Sequence, residues 1–114
     1  MNLCKIATLG VLVTGTIFAG MLSAEAARAV VTGSTNVRSG PSSDYRVIGR
    51  VRSGDRVNIT RCARSHRWCH VESRRTRNGW VRSWYLDRVS GSRPGNPSTG
   101  ICFFGRRGQV CLNP

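Results

Sequence analysis

Apolar and polar residues alternate with a period of two along much of the chain. In residues 56–61, Val57 and Ile59 fall on one side and Asn58 and Thr60 on the other, the pattern of a strand buried on one face. Residues 68–73 resume it, with Cys69 and Val71 sharing a face. The same reading predicts strands over 29–32, 45–51 and 80–82, and a turn with a last edge strand in "SWYLDRV". Residues 33–44 read as a long Gly/Ser/Pro-rich loop. Ser53-Gly54-Asp55 and Asn78-Gly79 are hairpin signals. Short strands with regular turns and no long helical period predict a small all-β barrel or sandwich. Its core candidates are Val37, Val47, Ile48, Val51, Val57, Ile59, Val71, Val81 and Leu86, with Trp80 packed on the barrel.

The first residues show another pattern. Lys5 precedes an apolar run over 6–22, and Ala24-Glu25-Ala26 and Ala27-Arg28-Ala29 both fit an A-x-A cleavage site. Residues 1–26 therefore read as a secretory signal peptide, with cleavage as late as residue 29. The run is shorter than the roughly 20 residues of a spanning helix. Cys4 precedes the run, so it is not a lipoprotein cysteine. The rest of the chain reads as one small domain over 30–89, a linker over 90–100 and a tail over 101–114. The expected location is the periplasm or the exterior.

Export changes the meaning of the charge. The chain carries a formal +13, and Lys5 and Glu25 cancel, so the exported part keeps it. Such an excess favours anionic partners and salt-sensitive binding. Outside the cytoplasm these are wall carboxylates, lipid phosphates and polysaccharides rather than nucleic acid.

Export also puts "RCARSHRWCH" (61–70) in an oxidising compartment. Four cysteines remain there: Cys62, Cys69, Cys102 and Cys111. Three pairings are open; joining neighbours, 62–69 and 102–111, closes two short hairpins. Strict alternation puts Cys62 opposite Ile59 while Cys69 shares the face of Val71, so the first bridge requires a bulge or twist near residues 60–62. Metal is the rival, through Cys62-x3-His66-x2-Cys69 with His70. Cys69 and His70 point to opposite faces of a strand, however, and six residues between the cysteines exceed the usual zinc spacing. The same opposition weakens a Cys69–His70 nucleophile–base pair. No metal or cofactor is expected.

Four ordered pieces resemble the bacterial SH3-like domain family: "NVRSGPS" (36–42), "VIGRVRSGDRVNI" (47–59), "RWCHV" (67–71) and "NGWVRSWYL" (78–86). The resemblance spans residues 30–89. It implies a small SH3-like antiparallel β-barrel; outside the resemblance, Cys102 and Cys111 flanking a Gly-Arg-Arg-Gly turn read as a C-terminal disulfide-closed hairpin tail. It also implies a binding or targeting module outside the cytoplasm, in a family whose members often accompany cell-wall hydrolases and bind peptidoglycan.

Asn36, Arg38, Gly40 and Pro41 fix the shape of the signature loop, and Arg38 is also a ligand candidate. Tyr45, Trp68, Trp84 and Tyr85 are candidates for a partly exposed aromatic strip suited to sugars or peptides. Arg74 and Arg75 in one loop, with Arg64 and Arg67 in a neighbouring one, are candidates for an anion-binding face. Phe103 and Phe104 either cover the barrel or form a contact patch. Asp44, Asp55, Glu72 and Asp87 are scattered and make no acid/base pair, so no catalytic residue and no enzyme is expected. The expected function is an exported, non-enzymatic module that recognises peptidoglycan or another anionic cell-envelope polymer. The alternative is a protein-interaction or secreted effector-like module with a protein partner.

Overall fold

The computed structural model describes residues 26–114. The signal-peptide expectation otherwise lies outside the described residues. Seven strands form one antiparallel sheet: β1 Ala27–Val31, β2 Thr35–Arg38, β3 Val47–Val51, β4 Arg56–Cys62, β5 Trp68–Glu72, β6 Gly79–Arg82 and β7 Leu86–Arg88. Their order is β3-β2-β6-β5-β4-β1-β7, with a 3-10 turn, Ser83–Tyr85, before β7. β8 Ile101–Gly105 and β9 Gly108–Leu112 form a separate two-stranded hairpin. The architecture is the expected antiparallel barrel with a disulfide-closed hairpin tail.

The period-two pattern builds the core. Val57, Ile59, Cys69, Val71 and Val81 are all fully or nearly fully buried, at 2 % exposure or less. Ala27, Ala29 and Val31 of β1 join them, so this strand starts at Ala27 rather than at residue 29. Phe103 and Leu112 bring the hairpin into the same core. Of the two tail phenylalanines, Phe103 is buried and Phe104 is 41 % exposed. Phe103 therefore covers the barrel core, and Phe104 remains on the surface.

Three expectations fail locally. Residues 35–38 form β2 inside the supposed loop. Val47 is exposed rather than in the core, because the β2–β3 register shifts between Val37/Arg38 and leaves Ile48 as the extra residue. Asn78-Gly79 is not the hairpin turn. Gly79 opens β6, where a Cβ would come within 2.7 Å of the Arg38 carbonyl, and the turn is the whole segment 73–78. Asn78 closes that segment by accepting the Ser73 amide at 3.2 Å.

Candidate functional site

The segment that holds both histidines is a stapled hairpin. Cys62 and Cys69 face each other across β4 and β5 and are disulfide-bonded, as are Cys102 and Cys111 across β8 and β9. The bulge that the first bridge requires is present. Ile59 pairs with Val71 and Arg61 with His70, leaving Thr60 as the extra residue. Both sulfurs of the Cys62-x3-His66-x2-Cys69 set are committed to the bridge, so they are not thiolate ligands. Cys69 is buried, while His70 lies on the outer face beside the Thr60 hydroxyl, 2.9 Å from Nδ1. Burial holds its pKa below the ordinary value of 6.5, Arg61 adds to that shift, and Glu72 opposes it.

The outer face of β1, β4, β5 and β6 is polar and organised in rows. Arg61, His70 and Trp80 form one row across three strands. The Arg61 guanidinium lies 5.1 Å over the Trp80 ring, and the His70 ring meets it edge-on at 5.4 Å. Trp80 thus packs on the barrel from outside, half-buried, between the inward Gly79 and Val81. One row along β5, Arg28, Asn58 and Glu72 line up in the same way.

This second row opens into a depression of about 630 Å³ where loop 73–78 stands beside the sheet. Arg28, Arg56, Arg74 and Arg75 line it, with Asp55 and Glu72 as the carboxylates. Asp55 is held by the Arg75 guanidinium at 3.3 Å and accepts the Arg52 amide at 2.9 Å. Among the described residues, Arg28, Arg56 and Arg74 have no ion-pair partner. Guanidiniums outnumber carboxylates four to two, and the surplus faces water.

The other sequence candidates are dispersed. Arg38 is turned into its own loop and donates to the carbonyls of Ser43 (3.1 Å) and Tyr45 (2.8 Å). Tyr45 covers Gly40, where a Cβ would lie 2.4 Å from its ring. Tyr85 lies over Gly33. Trp68 pairs with Arg82 at the start of β5, and Trp84 stands exposed in the 3-10 turn. Among the described residues, no ring-to-ring contact joins these four aromatics; the two such contacts are His66–Phe104 and His70–Trp80. Arg64 and Arg67 precede β5 and Arg74 and Arg75 follow it, so the whole strand, about 13 Å for four steps of roughly 3.3 Å, lies between the two loops. The two loops stand at opposite ends of the strand.

Sequence reading missed Arg28 and Arg56. Their neighbours in space come from β5 and loop 73–78, and only the strand register brings them together.

Residues 33–87 match the bacterial SH3 domain family. No curated protein matches the chain.

Proposed function

We propose, from the premise that residues 33–87 are a bacterial SH3 domain, that this protein is an exported, non-enzymatic module that binds an anionic cell-envelope polymer, peptidoglycan first. Domains of this family are binding modules, often associated with the cell wall. Two disulfides suit a compartment outside the cytoplasm.

One observation carries the ligand class: the convergence of Arg28, Arg56 and Arg74, without ion-pair partners among the described residues, on an open depression. The Arg fork suits the carboxylates of wall peptides and the phosphates of envelope polymers alike. The openness suits a chain passing across the site rather than an enclosed small molecule.

Two experiments test this reading. Purified sacculi should pellet the oxidised protein at moderate salt, while a neutral glycan such as chitin should not; equal retention by both contradicts it. Intact mass of the exported protein should place its first residue at Ala27. Cleavage after Ala26 keeps all of β1, whereas cleavage after Ala29 would remove Ala27 and Ala29, both buried and paired with Ile59 and Val57. A first residue at Val30 contradicts this assignment.

A further inference from the structure

At the Trp68 end of β5 the second hairpin docks onto the first. His66 adopts a left-handed conformation, φ 59°, which turns its carbonyl toward the tail. That carbonyl accepts the Phe104 amide at 2.8 Å. The buried Ser83 hydroxyl donates to the Phe104 carbonyl at 2.7 Å and lies 3.1 Å from that of His66. Ser83 is the residue before Trp84, so the dock brings the chain at Trp84 and at Phe104 side by side. Both side chains remain outside, at 51 % and 41 % exposure. The Arg67 guanidinium lies 5.1 Å over the Phe104 ring, and the His66 ring stands edge-on to it at 6.3 Å.

The charge around this pair has one sign. Arg64, Arg67 and Arg82 are exposed here. Asp55 and Glu72 line the depression at the other end of β5, and Asp44 lies in loop 39–46, which leaves β2 beside Gly79. Asp87 is paired with Arg107 at 2.8 Å.

We propose that Trp84 and Phe104, with Arg67 over the Phe104 ring and the exposed Arg64 and Arg82 on the adjoining loop and strand, form a docking face for an anionic phospholipid bilayer. Exposed aromatic side chains settle at the headgroup level, with their rings toward the acyl boundary. Guanidiniums beside them meet lipid phosphates. A soluble polyphosphate satisfies the arginines and leaves the two rings in water, whereas a bilayer covers both. The face is composite: it exists because the tail hairpin is docked on loop 62–69. It does not depend on the polymer reading of the depression.

The test uses oxidised protein beginning at Ala27, which holds every strand among the described residues, and vesicles of phosphatidylcholine with and without about one-third phosphatidylglycerol. Binding to the anionic vesicles is expected, with tryptophan emission shifted to the blue. W84S alone, and W84S with F104S, should each weaken partitioning by about tenfold or more. R64Q and R67Q should each weaken it by about fivefold. Glycerol phosphate should not displace the protein. Absence of binding to anionic vesicles at low salt overturns the proposal. So does partitioning that W84S and W84S/F104S leave unchanged, or that glycerol phosphate abolishes. An intact mass that shows both disulfides closed in W84S, with an unchanged circular dichroism spectrum, keeps this readable if F104S disturbs the dock. If Trp84 and Phe104 matter only for sacculi and not for vesicles, the face belongs to the wall polymer and the lipid assignment is wrong.

Discussion

Strand β5 carries a loop at each end, and both loops are rich in arginine. At the Glu72 end, loop 73–78 stands over the sheet's outer face. There Arg74 and Arg75 join Arg28 and Arg56 around a depression that also contains carboxylates. At the Trp68 end, loop 62–69 is disulfide-closed and joined by a second hairpin through the Phe104 amide, and Arg67 lies on an aromatic ring. The composition of the two loops is alike; what differs is the sequence-distant element packed beside each. An arginine run acquires a chemical role only when the fold decides whether its neighbours are carboxylates and polar strand residues or phenylalanine and tryptophan.

The comparison breaks most readily at the hairpin. Phe103 is fully buried in the common core, and F103A should cost about 3–5 kcal/mol by chemical denaturation. Barrel and tail share that core, so the transition should stay single and shift as a whole. A barrel transition left at its wild-type midpoint would show that the tail is an independent appendage. Replacing Cys102 and Cys111 by Ser opens a loop of sequence separation 9 and should cost about 2–3 kcal/mol in the chain-entropy model. It should loosen the Trp68 end and spare polyanion binding at the other end; equal loss at both would dissolve the distinction between them.

Smaller effects sharpen it. R75S removes an exposed partner of Asp55, and by the usual worth of surface pairs should change stability by less than about 1 kcal/mol. A larger loss would mean that the ion pair, rather than strand pairing, holds loop 73–78 in place. The His70 contribution is the smallest. Its folded pKa lies below 6.5, so the unfolded chain binds more protons near that pH. Its contribution to stability is therefore complete above about pH 6.5 and declines as pH falls toward the folded pKa. H70Q should flatten this segment of the stability–pH curve; an unaltered slope would exonerate the histidine.

Much of this was legible in the sequence, because much of it is local. Alternation in 56–61 and 68–73 identifies the buried faces of β4 and β5. The conflict between Cys62 and Ile59 even locates the bulge, which falls at Thr60. Local pattern fails where a partner strand decides. Thr35–Arg38 offers a single apolar residue, Val37, and becomes a strand only by pairing with β3 and β6. Val47 looks like a core residue until the register shift opposite Val37/Arg38 turns it outward. The candidate site suffers most. Arg74 and Arg75 could be singled out as a run, but Arg28 and Arg56 join them only through the order β1-β4-β5. Arg38, conspicuous in its motif, is occupied with its own loop.

The most direct test of the account is the salt dependence of sacculus binding for two triple variants, R28S/R56S/R74S and R64S/R67S/R82S, which remove equal charge from opposite ends of β5. At about 0.15 M ionic strength, charges beyond roughly 8 Å are screened, so a pure net-charge effect would fall equally on both. The account predicts that R28S/R56S/R74S loses binding and most of its salt dependence while R64S/R67S/R82S stays near wild type. Equal losses in the two variants would contradict it.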